Sequence, residues 1–176
     1  MKAMSHVALA IAGATLFAVS GAAQSTPTDP QIVGIVVAAN QIDIDYAKLA
    51  LSKTHNAQVH DFAQQMVTDH SALQKSVGDL GAKLHVTPAD SDTSAALKKQ
   101  AADETAKLKA LNGAAFDKAY IDNEVGYHQA VIKEVGTVLI PNAKNAELKS
   151  ALTGAAPLFQ GHLEHAQHLQ SSLGGR

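Results

Sequence analysis

His70, His128 and His162 interrupt otherwise apolar helical stripes, each on a different predicted helix. Imidazole is a general base, a proton relay and the commonest metal ligand. Acidic residues stand near all three. Asp69 precedes His70, Glu124 lies four residues before His128 and so shares its helix face, and Asp43 occupies the first helix. Imidazole nitrogen together with carboxylate oxygen suits zinc, iron, manganese or copper. Helical bundles build such centres from side chains on facing helices. The ligand candidates are therefore His70, His128 and His162, with Asp43, Asp69 and Glu124 supplying oxygens or orienting the rings from behind. The competing reading is a buried polar layer in which carboxylates hydrogen-bond the histidines, fix register and hold no ion.

Other chemistries find less support. The run HLEHAQH spaces His162, His165 and His168 three residues apart. Each step turns about 300°, so the rings fan around the helix and read as a solvated face. His55 and His60 read as surface residues. There are no cysteines, which excludes disulfides, thiolate metal sites and cysteine nucleophiles. No serine sits in a nucleophile elbow, and no glycine cluster forms a phosphate cradle. The Glu-x-x-His pair of di-iron bundles is absent, which counts against ferroxidase or di-iron oxygenase chemistry. With 14 basic and 16 acidic residues, a net charge of −2 and no basic cluster, nucleic acid is not an expected partner. Tyr46, Phe116, Tyr120, Tyr127 and Phe159 read as core packing.

Helices must position the histidines, because no stretch alternates apolar and polar residues as a half-buried strand would. The first runs from about Pro30 to Thr54, with Asp29 as N-cap and Pro30 at its first position. Its stripe is Ile32, Ile35, Ala39, Ile42, Tyr46 and Leu49. Asn56 caps a second helix that runs to about His85, with Asp69 in a stripe slot between Met66 and Leu73. The segment Val86 to Asp92 is a turn, since Pro88 blocks continuation. The pattern from Thr93 to Leu139 would make one helix of about 70 Å against about 40 Å for the first two. A break is required, and Asn112-Gly113 supplies it. A short helix, Thr93 to Leu111, thus precedes a third long one, Ala114 to Leu139. Pro141 and Asn142 form the next turn. The fourth runs from Ala143 to about Leu173, with a kink or restart between Gly154 and Pro157.

The short helix returns the chain along the bundle, so the third long helix descends beside the second. That is an all-α, ferritin-like four-helix bundle with a long crossover containing a short extra helix. Counting from one end, Asp43, His70, Glu124, His128 and His162 fall within about 10 Å of height. Four helices aim polar groups at one slab.

The N-terminus carries Lys2, an apolar run from Val7 to Val19 and the small residues Ser20 to Ala23. This is the pattern of a secretory signal peptide, residues 1–23. The run is shorter than the roughly 20 residues of a membrane span. No later run is long enough either, so no transmembrane segment is expected once the signal is removed. Residues 24–29 are a linker, 30–173 the bundle and 174–176 a flexible tail.

The segments ANQIDIDYAKLAL, VHDFAQQMVTDHSAL, GAAFDKAYIDNEVGYHQAVI and APLFQGHLEHAQHL resemble the domain-of-unknown-function 4142 family. The resemblance covers about Asp29 to Leu173. It implies a ferritin-like bundle in an exported bacterial protein, periplasmic or secreted, of a kind often labelled predicted outer membrane protein. That label fits poorly with an all-helical chain, since outer-membrane spans are β-barrels. The family's acid and histidine positions fall on Asp43, Asp69, His70, His128 and His162. The first helix of the family usually carries Glu where this chain has Asp43, a shorter side chain. The resemblance implies no reaction. The expectation is a soluble exported bundle with a metal ion in its mid-bundle layer. The alternative is a non-catalytic envelope or stress-related protein that works through its surface, with an envelope protein or a second copy as partner. A non-enzymatic role is favoured over an enzymatic one.

Overall fold

The computed structural model describes residues 26–174 of the chain. The expected signal peptide and the last two tail residues lie outside the described residues. Among the described residues there is no strand, and six α-helical segments and one π-helical turn follow in order. They are α1 (Asp29–Lys53), α2 (Ala57–Leu84), α3 (Asp92–Ala110), α4 (Gly113–Glu134), the π turn Val135–Leu139, α5 (Ile140–Asn142) and α6 (Ala146–Gly174). Gly174, expected in the tail, is the last residue of α6. None of these helices is long and apolar enough to cross a membrane.

Local sequence explains most boundaries. Asn56 caps α2, its side-chain oxygen accepting from the N–H groups of Gln58 and Val59, which relieves orphan donors of the first turn. Asn145 does the same for α6 through Glu147 and Leu148, so that helix starts at Ala146 rather than Ala143. Gly113 takes a left-handed φ of 55° at the start of α4. Glycine adopts that conformation without a Cβ penalty, and the break at Asn112-Gly113 is where helix length required it. At the N-terminus of α1 the cap is Thr28, and Asp29 is already helical. The Asp29 carboxylate instead accepts from the N–H groups of Lys144 and Asn145, tying α1 to the loop before α6.

Two further expectations change. Pro141 and Asn142 do not form a turn but sit in α5, and the chain turns at residues 143–145. The π turn precedes Pro141, and there the Ile140 N–H reaches Val135 O. A proline ring clashes with the carbonyl four residues back in an unbroken α-helix, and the widened turn relieves that. In α6 the helix continues through Pro157 without a restart.

Helix directions follow from which residues meet. Asp69 pairs with His162 and Lys83 with Glu147, so α2 and α6 are antiparallel. Gln170 reaches Asp122, so α4 and α6 are antiparallel too. Tyr127 hydrogen-bonds Ala39 O while Lys53 lies over Phe116, which sets α4 antiparallel to α1. The third long helix therefore packs beside α1, not beside α2 as expected, and α2 packs against α6. The crossover helix α3 lies against α1. It covers a second face of α1, burying Ala38, Ile42 and Tyr46. Phe62, Phe116 and Tyr120 are fully buried towards one end of the bundle, Leu139 and Leu148 towards the other.

The strap between α2 and α3 is held tightly to α1. Ala89 N–H donates to Pro30 O at 2.9 Å, and a Cβ on Gly34 would lie 2.0 Å from Ala89 O. Only glycine fits there. Gly34→Ala should destabilise the fold by about 1–3 kcal/mol, the usual range for forced overpacking. Urea unfolding of the two chains measures it, and equal midpoints would contradict the tight contact.

Candidate metal centre

The polar layer sits at mid-bundle, and four helices contribute to it. Asp43 comes from α1, His70 from α2, Glu124 and His128 from α4, and His162 from α6. All five are buried, Asp43 and Glu124 at 0% exposure. The three imidazole rings form a compact triangle, with centroids 5.2 to 5.8 Å apart. The depths counted along the sequence therefore converge in space.

Each ring is anchored through one nitrogen. His70 Nδ1 lies 2.9 Å from Asn40 Oδ1. His128 Nδ1 lies 3.1 Å from the Glu124 carbonyl oxygen and 3.4 Å from its carboxylate. His162 Nε2 lies 2.9 Å from Asp69 Oδ2. Acceptors at these nitrogens place the proton there, which leaves a lone pair on the other nitrogen of each ring. Those nitrogens, His70 Nε2, His128 Nε2 and His162 Nδ1, are buried without a well-formed hydrogen bond. The three histidines offer ligand atoms within 4.8 Å of one another. Asp43, Glu124 and His128 form a second such set. His128 belongs to both.

Asp43 stands between the sets, its Oδ2 3.3 Å from His70 Nε2 and 3.5 Å from His128 Nε2. The shorter side chain at this position thus still reaches the histidines. Asp69, the sequence-level candidate from an apparent stripe slot, behaves differently. It is 29% exposed and stands behind His162 at the rim. Asn40, 4% exposed, is a functional candidate that sequence reading misses, because a neutral amide following Val36, Val37, Ala38 and Ala39 carries no metal signature. His165 and His168 are exposed, as are His55 and His60. The expected core aromatics, Tyr46, Phe116, Tyr120, Tyr127 and Phe159, are all buried.

Burial makes charge expensive in this layer. It pushes Glu124 up to about 8, offset in part by the Tyr120 hydroxyl. Burial first, then the neighbouring Glu124, raises Asp43 well above the usual carboxylate range, against His128. His70 is lowered to about 3 by burial and by the other two histidines. Burial also lowers His162, against the pull of Asp69. At neutral pH the His70 imidazole is therefore uncharged and the Glu124 carboxyl is mostly protonated. The donor set suits a borderline divalent cation. Neutral imidazoles are ready ligands, two carboxylates can balance the charge, and one nitrogen of each ring makes no well-formed hydrogen bond that an ion would have to displace.

An all-helical bundle with a buried histidine–carboxylate layer is thus the class in which this chain falls. A family model described as a domain of unknown function, DUF4142, matches residues 14–169. The chain belongs to that family. In fold it is similar to a DUF305 protein from Streptomyces coelicolor, described as a proposed secreted protein. The TM-score is 0.67 at 12% identity, over 82% of this chain and 92% of the other. A search of the curated proteins finds no match.

Proposed function

We propose that this chain is an exported metal-binding bundle that holds one transition-metal ion at mid-height. His70, His128 and His162 supply nitrogens, Asp43 an oxygen, and Glu124 a second carboxylate beside His128. The observation that carries the reading is the division of labour within each ring. One nitrogen is fixed by Asn40, the Glu124 carbonyl or Asp69, and the other is buried without a well-formed hydrogen bond, in three rings that each offer a ligand atom within 4.8 Å of the others. Outer hydrogen bonds of this kind fix the tautomer and aim the ring at an ion. Metal–nitrogen bonds of about 2.1 Å can be made from this spacing with small ring movements. Export is supported by the signal-like residues 1–23 and by the description of the Streptomyces protein. No reaction is assigned.

The test is elemental analysis of protein purified without an affinity tag, after growth or dialysis with zinc, iron, manganese or copper. One ion per chain is expected. Absence of stoichiometric metal under every supplement sinks the proposal and leaves the second reading, a structural polar layer in an envelope interaction protein. One observation favours that reading: every histidine of the layer already has a carboxylate within 3.5 Å.

The outer partners give a finer test. Asn40→Ala frees the His70 ring to rotate without removing a ligand. Metal affinity should fall about 10- to 100-fold with stoichiometry unchanged, as is typical for lost outer-layer bonds. Competition titration against a chelator reads it, and an unchanged affinity would mean that Asn40 does not orient a ligand.

A further inference from the structure

An elongated cavity adjoins the histidine layer and runs towards the end of the bundle where α1 begins. Along α1 it extends from Asp43 to Val33, ten residues, or about 15 Å of helix. Its volume is about 120 Å³. Asn40, Asp43, His70 and His128 close its upper end. Aliphatic side chains and Phe159 line most of the shaft below, Val77, Leu80 and Leu152 among them. Exposed Ser76 on α2 and Ala151 on α6 also line it, so it meets solvent along the seam between those helices.

Two further features mark it as more than loose packing. Val135 and Leu139, the first and last residues of the π turn, both line it. π turns inside helices recur at functional sites. In addition, its upper end is built from polar atoms buried without good partners, including Asp43 Oδ1 and Oδ2, His70 Nε2 and His128 Nε2. A void in a core is destabilising because its lining loses contacts. Leucine for Ala155, half-buried on the wall, would fill much of it.

We infer that this cavity binds a small, uncharged, apolar molecule of up to about the size of benzene, presented end-on to the histidine layer. Cavities of roughly 150 Å³ lined by aliphatic and phenyl groups stay dry and take benzene or xenon. Among the described residues the shaft offers no cation to a charged ligand, and Glu134 is the one acidic residue that lines it below Asp43. The inference extends the metal reading by naming the kind of molecule that reaches the ion, but its test does not require the ion.

The metal-free, chelator-treated full chain is titrated with benzene and equilibrated with xenon, and followed by nitrogen-15 and xenon-129 NMR. Saturable shifts are expected at Val77, Val135 and Leu152. Ala155→Leu should weaken benzene binding at least tenfold and raise the melting temperature, with metal content unchanged. Val77→Phe fills the opposite wall and should do the same if Ala155→Leu fails to fold. Non-saturable shifts, or benzene binding that survives in every folded filling variant, overturn the inference. Benzene binding that behaves as expected in a chain that takes up no metal supports the cavity and overturns only the metal reading. Metal uptake without saturable benzene or xenon binding does the reverse.

Discussion

His128→Ala will fold and will not retain metal. Its ring is the one side chain common to both donor sets. Nε2 faces Asp43 at 3.5 Å, and Nδ1 is held by Glu124 at 3.1 Å. Removing it leaves two imidazoles on α2 and α6 and two carboxyls whose ionisation burial disfavours. Affinity should drop by more than about 100-fold, beyond what loss of an outer partner costs. In the metal-free state the change is milder, about 1–3 kcal/mol for truncating one buried side chain. In the loaded state the difference widens, because an ion present at 100 times its dissociation constant stabilises the native chain by about 2.7 kcal/mol. The measurement is elemental analysis with melting curves in chelator and in excess metal. A folded His128→Ala chain with unchanged metal content would remove the centre from this layer. Equal melting curves with and without metal for the wild type would show that the ion is not held by the folded core.

Without metal, the protein should lose stability as pH rises from about 6.5 to about 8, and Glu124→Gln should suppress much of that loss. The folded-state pKa of Glu124 is raised from 4.5 to about 8. A raised acid favours folding while it is protonated in the native state. Its contribution is complete below the unfolded value, declines as pH climbs, and is gone above about 8. The expected size is a few kcal/mol, since a tenfold change in proton affinity is worth about 1.4 kcal/mol. His70 acts in the opposite sense. Its pKa is lowered from 6.5 to about 3, so its contribution is present above 6.5 and is lost as pH falls towards 3. The metal-free chain should therefore be most stable in mildly acidic solution. Urea unfolding in chelator at pH 5, 7 and 9 checks this. If wild type and Glu124→Gln run parallel across that range, Glu124 is not the group responsible. Saturating metal should reverse the alkaline loss, because a cation favours the ionised carboxylates.

Much of this protein can be read along the chain. Periodicity gives the helices, and Asn56 and Asn112-Gly113 mark their ends. Helix length requires the crossover. Depth along each helix then brings His70, His128, His162, Asp43 and Glu124 to one level, because rise per residue is constant. Rotation and lateral order are not fixed that way. Asp69 and His70 differ by about 100° around α2, and only the rotation of α2 against α6 decides that His70 turns inward while Asp69 stays at the rim. Residue heights are likewise the same whether α4 lies beside α1 or α2, since either order preserves every one of them. Packing settles that choice, and with it which acid meets which histidine.

Fold class and the height of the polar layer are thus properties of the chain read in one dimension, because both rest on periodicities local to each helix. Three-dimensional packing alone settles which nitrogens lack a hydrogen bond, that Asn40 and Asp69 hold the rings from behind, and that a cavity opens beneath them. Those features depend on distances between atoms far apart in the chain, such as Asn40 and His70, 30 residues apart. Such distances follow from how four sets of side chains fill one space, which no single stretch of residues specifies.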